Sequence, residues 1–471
     1  MDDAQRAKLF AFASERATRF RARVGDTLAR PEQNYGECLT SFSEPMPEHP
    51  SDAKAVLTEL ADKAERGLMK STGRRFFGWV IGSSHSAGVA ADWLTSAWGQ
   101  NTGNHHASPA ASAAEAVAAG WLLDILDLPR ECSVGFATGA TVANFTCLAA
   151  ARGEVLRKVG WDADAQGLFG APPISVLIGD DAHTTIFSAL QFLGLGHDRV
   201  IRVATGNQGT ILPEAFKAAI AKLQCPAIVI LQAGQINTGD FDPFKTLVPI
   251  AQAAGAWVHV DCAFGLWARA VPELKHLTTG LELADSWATD GHKWLQTPHD
   301  CGYAIVRHEL AHRRAMTIAA SYLPATADGE RDPTHYVPEL SRRARGFPTW
   351  TIIKTLGRSG IAEMVERNCR VARLMADLLA QESGIEIGND VVLNQVIVRF
   401  GADETPERGD LLTQETIKRI QQDGVCFAGG ANWRGRQIMR ISVCGGETTE
   451  EDGRISAEAM IRAYRNVRQQ T

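Results

Sequence analysis

Between residues 174 and 289 the chain alternates short β-branched runs with helical stretches, and this alternation limits its possible folds more than any other feature. The runs are Ile174–Ile178, Val200–Val203, Ala227–Leu231, Ala256–Val260 and Ser286–Thr289. Thr185–Leu193, Pro213–Leu223 and Pro243–Ala254 have helical character and lie between them. Near-continuous apolar strands separated by helices imply a mostly parallel sheet covered on both faces. In such α/β sheets, ligands bind at the carboxyl ends of the strands. Residues just past each run are therefore the first candidates for chemistry.

At 471 residues the chain is long enough for two or three domains. Residues 4–30 carry Leu9, Phe10, Phe12, Phe20 and Val24 among charged residues, as an amphipathic helix does. A proline-rich connector and a second helical stretch follow, so 1–75 reads as an N-terminal helical arm suited to an interface. Residues 76–355 hold the large α/β domain. Residues 356–471 read as a small C-terminal α+β domain, with strand runs Val391–Phe400 and Gln437–Val443 and helical runs Leu411–Gln422 and Thr449–Arg465. A net charge of −6 gives no basic patch to attract nucleic acid. No apolar run reaches the roughly 18 residues of a membrane span. The acidic start MDDAQRAKLF does not read as an export signal, and the nine cysteines form no CxxC pair. A cytoplasmic protein with reduced thiols and no metal site is expected.

Four stretches carry residues that make chemical sense together. In GFATGATVANF, Gly139, Ala140 and Thr141 precede an Ala/Leu helix. Helix-start N–H groups beside hydroxyls form a phosphate cradle, although the same pattern also serves as an ordinary cap. In GDDAHTTIF, His183 follows a strand end, where an imidazole can stack on an aromatic ligand or cap a helix. In AWVHVDCAFG, Asp261 ends a buried strand, with Ala263 two residues on, and a buried carboxylate needs a cationic or hydrogen-bonding partner. In TDGHKW, Lys293 lies beside His292 and three residues after Asp290. A lysine becomes a nucleophile when burial or a nearby cation lowers its pKa; otherwise it is a surface residue. Taken in this order on a parallel sheet, the four stretches meet the needs of pyridoxal 5′-phosphate. The lysine holds its aldehyde, the aspartate keeps its ring nitrogen protonated, the cradle takes the phosphate and the histidine covers one face.

From about Phe76 to ISVCGGETTEEDGR the sequence resembles the group II pyridoxal-phosphate-dependent amino-acid decarboxylases, which include aromatic amino-acid, glutamate and tyrosine decarboxylases. The resemblance rests on TGATVANFTCLAAAR, DAHTTIFSALQFLGLG, AGQINTGDFDP, HVDCAFG, DGHKW, ELSRRAR and WRGRQIMRISV. It implies a fold-type I, aspartate-aminotransferase-like homodimer with active sites at the subunit interface. By the same resemblance Lys293 is the Schiff-base lysine, Asp261 the ring-nitrogen partner and His183 the stacking residue. Ala140 and Thr141 then contact the phosphate, and Asp290 is a further cofactor contact. Val142 stands where the family often has glutamate, and Gln235 and Ile236 replace its threonine-rich turn. The family's loop tyrosine, which protonates the carbanion, has no direct counterpart; Tyr336, or else His335, is the nearby candidate in ADGERDPTHYVPELSRRAR. That loop, Asp328–Tyr336, reads as a mobile lid.

The expected reaction is decarboxylation of an L-amino acid through the Lys293 Schiff base and a quinonoid. Trp93 and Trp98 suit either an aromatic-substrate pocket or core and interface packing. The same constellation also serves a carbon–carbon lyase, an aldehyde-forming oxidative deaminase or an aminotransferase. Arg342, Arg343 and Arg345 would grip an anion in the first of these, or form a surface cluster. Arg440 would hold an α-carboxylate in an aminotransferase. His105 and His106 line a pocket or lie in a solvated loop.

Overall fold

The structure is a computed structural model that describes residues 1–223, 226–317 and 330–470. Packing divides the chain into two compact units. One is Gly82–Ala372 with Asn389–Val396; the other is Met1–Ile81 with Arg373–Gly388 and the chain from Ile397 onward. The boundary between Ala372 and Arg373 falls inside the helix Gly346–Leu379. Because that helix carries apolar residues throughout, nothing in its local sequence marks a change at 355 or at 372.

The first unit is built on a sheet of seven strands. They are β1 (Ser133–Ala137), β2 (Ser175–Gly179), β3 (Ile201–Val203), β4 (Ala227–Gln232), β5 (Trp257–Asp261), β6 (Ser286–Asp290) and β7 (Gly302–Val306). Their order is β1-β7-β6-β5-β4-β2-β3. Strands β2 to β6 pair in parallel, whereas β7 runs antiparallel to β1 and β6. The fold is α/β, as the alternation predicts, and fold-type I in architecture, as the resemblance implies. β1 and β7 carry no signal in that alternation. Each is five residues long, they lie far apart in sequence, and they pair only with partners the fold brings to them.

Register explains why the loops converge. Gly302 on β7 lies opposite Ala137 on β1 and Asp290 on β6, so the ends of three strands meet at one point. β1 leads directly into the helix Ala140–Arg157. That helix buries Cys147, Leu148 and Ala151 in a core shared with Ile178, Ile228 and Trp257. Burying a large apolar side chain contributes roughly 1.5–3 kcal/mol each, which fixes the helix, and hence its N-terminus, against the sheet. The helix Glu309–Met316 buries His312 on the same sheet edge. His312 Nε2 lies 2.9 Å from the Tyr336 carbonyl, and Nδ1 lies 2.8 Å from Ser133 Oγ. A carbonyl can only accept, so Nε2 carries the proton and the Ser133 hydroxyl donates to Nδ1. Burial holds this imidazole down to about 3.

In the second unit β8 (Ile385–Ile387), β9 (Gln395–Phe400), β10 (Gly429–Trp433) and β11 (Arg436–Ser442) form a sheet in the order β10-β11-β9-β8. The helices Pro406–Asp423 and Glu450–Gln470 accompany it. The N-terminal helices Asp3–Arg23, Tyr35–Phe42 and Ala53–Glu65 bury no residue within this chain. No helix among the described residues is long and apolar enough to cross a membrane.

Two outcomes follow for the first unit. A Cβ at Gly302 would lie 2.5 Å from the Gly139 Cα, so Gly302→Ala must push β7 off the β1 turn. A loss of about 1–3 kcal/mol in unfolding free energy is expected in denaturant titrations. For His312 the folded pKa lies below that of an exposed imidazole, so below about pH 6.5 the unfolded chain binds the extra proton. Its contribution to stability is complete above pH 6.5 and is lost as pH falls towards 3. His312→Gln should flatten the fall in stability between pH 7 and pH 5 by about one proton, read as the slope of unfolding free energy against pH.

Candidate functional site

A cleft of about 310 Å³ opens at the carboxyl ends of β4, β5 and β6. The start of the helix Ala140–Arg157 closes one side, with Gly139, Ala140 and Thr141 at its edge. His183, Asp261 and Ala263 line it from the middle of the sheet, and Asp290, His292 and Lys293 from the turn after β6. The structure thus brings together residues that are scattered over about a third of the sequence, from Gly139 to Lys293.

Asp290 joins two of these elements. Its Oδ2 lies 3.1 Å from Lys293 Nζ, and its Oδ1 accepts the Ala140 N–H at 2.6 Å. One carboxylate therefore ties the helix start to the lysine turn, and the Ala140 N–H is already satisfied from within the chain. His292 Nε2 lies 3.5 Å from the same Oδ1, and its Nδ1 accepts the Cys301 N–H at 3.2 Å. Burial holds His292 below the usual imidazole range. Lys293 Nζ lies 5.8 Å from the centre of the Phe264 ring, within reach of a cation–π contact.

Asp261 is the buried charge of the site. It ends β5 opposite Gln232 on β4 and Ala288 on β6. Burial pushes its carboxyl up, while His183, Lys293 and the Asn144 amide act in the other direction. Its Oδ1 is fully enclosed and has no hydrogen-bond partner among the described residues. An unmatched carboxylate oxygen in such surroundings is costly, so the site calls for a donor from a ligand. A protonated ring nitrogen is such a donor. His183 caps the helix Thr184–Phe192, its Nδ1 accepting the Thr185 N–H at 3.3 Å, which fixes the ring at the cleft wall.

The phosphate end also fits. The N-cap residue Gly139 offers no side chain to the first turn, and Thr138 and Thr141 line the opening. A Cβ at Gly139 would come within 3.0 Å of His292 Cε1 and 3.3 Å of Asp290 Oδ1, so any side chain here would press on both. Gln235 has a different task. Its Oε1 accepts the N–H groups of Asn237 and Thr238 at 2.6 and 3.0 Å, so its side chain holds its own turn, while Ile236 faces the cleft.

Other expected residues lie elsewhere. Tyr336 does not line the cleft; it is buried, and its hydroxyl donates to Glu309 Oε1 at 2.5 Å. Burial and that bond push the phenol up to about 12. His335 precedes it on the same short turn, also outside the cleft. Residues 328 and 329 of the expected lid lie outside the described residues. Arg342 pairs with the buried Glu115 at 2.8 Å and donates to the Phe136 carbonyl at 2.6 Å. Arg343 holds Asp92, and Arg345 holds Asp300 at 3.0 Å. These arginines bind their own chain rather than an anion in the cleft. His105 lies 2.7 Å from Asp332 and stacks on His106 at 4.1 Å. Trp93 and Trp98 are half-exposed, with Trp98 edge-on to Phe347 at 5.2 Å. Arg440 lies on β11 of the other unit, partly buried, its pKa pushed down to about 10 by that burial. The sequence reading misses Phe264, Thr185 and Gly234, all of which line the cleft. Phe264 belongs to the same HVDCAFG segment as Asp261, so strand-end position is the signal that would find it.

The sequence matches the family model described as the pyridoxal-dependent decarboxylase conserved domain over residues 36–400. It is 27% identical over 436 residues to 4-hydroxyphenylacetaldehyde synthase of Rhodiola rosea, covering 90% of this chain and 87% of that protein. It is also 27% identical over 441 residues to tryptophan decarboxylase 1 of Oryza sativa subsp. japonica, covering 88% and 85%. The crystal structure of Oryza sativa TDC with PLP and tryptamine superposes with a TM-score of 0.91 at 23% identity, covering 99% of each chain.

Asp290→Ala removes both the Ala140 N–H acceptor and the partner of Lys293. An unfolding free energy lower by about 1–3 kcal/mol is expected, measured by urea titration.

Proposed function

The chain belongs to the pyridoxal-dependent decarboxylase family and is a carboxy-lyase that uses pyridoxal 5′-phosphate on an amino acid, and we propose that it does so in the cleft of Asp261 and Lys293. The observation that carries this reading is the enclosed Asp261 Oδ1, without a partner among the described residues, on a side chain that lines the same cleft as Lys293. Bound there, the cofactor supplies an electron sink for the pair left behind when carbon dioxide departs. Lys293 presents the amine for covalent attachment, and Asp290 orients it. Asp261 accepts the hydrogen bond of the ring nitrogen and holds its proton. His183 covers one face of the ring, while Gly139, Ala140, Thr141, His292 and Ala263 bound its phosphate and edge.

An aromatic L-amino acid is the proposed substrate, supported by the relatives named for tryptophan and 4-hydroxyphenylacetaldehyde. A cytoplasmic homodimer with shared active sites is part of the same proposal. The N-terminal helices that bury nothing within one chain support the dimer. Tyr336 is the proposed proton donor to the carbon that loses carbon dioxide, a role that requires its hydroxyl to leave Glu309 and its side chain to move to the cleft, which it does not line.

That bond favours a second reading. If the carbon is not protonated, oxygen and water convert the same substrate to an aldehyde, carbon dioxide, ammonia and hydrogen peroxide. The aldehyde synthase among the relatives supports it.

Purified protein given L-tryptophan, L-tyrosine, L-phenylalanine and L-glutamate separates the readings. Equal amounts of carbon dioxide and primary amine, with no oxygen uptake, are expected with an aromatic substrate, and Lys293→Ala should lower the rate by at least about 10³-fold. Aldehyde with oxygen uptake would establish the second reading. No carbon dioxide from any amino acid would overturn both.

A further inference from the structure

Behind Asp261 lies a row of buried polar side chains to which the proposed chemistry assigns no task. Trp257 Nε1 lies 2.9 Å from Ser286 Oγ, and Ser286 Oγ lies 2.9 Å from His259 Nδ1. His259 Nε2 lies 2.9 Å from Asn144 Oδ1. His259, Ser286 and Asn144 are fully buried, and Trp257 nearly so. Two of these residues share β5 with Asp261, one lies on β6, and Asn144 lies on the helix that begins at Ala140.

The chemistry of the groups gives the row a direction. An indole N–H can only donate, so Ser286 Oγ accepts from Trp257. A hydroxyl oxygen can accept twice, so the other end decides: Asn144 Oδ1 can only accept from His259 Nε2, which leaves Nδ1 of the neutral ring bare to take the Ser286 hydroxyl proton. His259 Nε2 therefore carries the proton and donates to Asn144 Oδ1. With its oxygen engaged, Asn144 turns its NH₂ group towards Asp261. That amide acts on Asp261 in favour of the charged form, and its buried Nδ2 has no hydrogen-bond partner among the described residues to draw it elsewhere. Burial holds His259 down to about 3, so it stays neutral, as the row requires.

We infer that Trp257, Ser286, His259 and Asn144 form a one-way donor chain that keeps Asp261 ionised and aimed at the ring nitrogen of the cofactor. His259 and Asn144 are positioning residues. They touch neither substrate nor cofactor, and they act through the carboxylate. The inference rests on the reading of Asp261 as the ring-nitrogen partner. A buried acid whose own pKa is raised by burial would otherwise take up the proton that the ring nitrogen needs.

The test compares two ligands on the full-length protein by equilibrium dialysis. One is pyridoxal phosphate; the other is its analogue with CH in place of the ring nitrogen, which cannot donate to Asp261. The readout is the ratio of their dissociation constants. A merely structural role would weaken both ligands and leave the ratio alone. His259→Leu and Asn144→Leu are expected to reduce the preference for the natural cofactor by about tenfold or more, the effect of losing a hydrogen bond to a charged group. Ser286→Ala, a small change that leaves the core filled, is expected to reduce it several-fold and carries the test if either leucine variant fails to fold. His259→Gln can accept from Ser286 and donate to Asn144, so it should keep the ratio within about twofold. Asp261→Asn separates the two levels of the argument. If it leaves the preference unchanged, the reading of Asp261 itself falls. If it abolishes the preference while Ser286→Ala and every folded leucine variant keep it, the donor chain alone is overturned.

Discussion

The rest of the site depends on one enclosed carboxylate oxygen. Asp261 is carried to the end of the middle strand of a seven-stranded sheet, where burial opposes its charge. His183, Lys293 and the Asn144 amide favour ionisation from different elements, yet Oδ1 is enclosed without a hydrogen bond among the described residues. A folded chain tolerates such a group where a ligand completes it. The cationic ring nitrogen of the proposed cofactor would complete this site, with the lysine amine 293 − 261 = 32 residues further along the chain.

Asp290 organises the second half of the site. By holding the Ala140 N–H and Lys293 Nζ together, it couples the helix start to the lysine turn. The antiparallel β7 makes this possible, because Gly302 has no side chain to separate β1 from β6 at that level. The arginines after residue 341 serve the same scaffold. The buried pair of Arg342 and Glu115 links the segment after the lid to the helix Pro109–Ile125 and to β1. Removing one partner would leave a buried charge unmatched, so such pairs resist change even when their net stabilisation is small.

Much of this is legible in the sequence, and the reasons differ between elements. β2, β4, β5 and β6 are readable because burial on both faces demands continuous apolar runs. Asp261 and Lys293 are readable because a charged residue closing such a run needs an explanation. The pairing of β1 with β7 is not, since Ser133–Ala137 and Gly302–Val306 meet only in three dimensions. The tasks of Gln235 and Arg343 are equally hidden: an amide that holds its own turn has the same sequence signature as one that binds a ligand, and a guanidinium on Asp92 has the same signature as one on an anion. The donor chain behind Asp261 is invisible for a further reason. Its direction follows from which atoms face one another, and only the folded distances show that.

The most direct test is to locate the covalent bond. The protein, loaded with pyridoxal phosphate, is reduced with borohydride, digested and sequenced by mass spectrometry. A phosphopyridoxyl group is expected on Lys293, near-stoichiometric with protein and on no other lysine. A label on a different lysine, or none on a folded protein saturated with the cofactor, would contradict that assignment.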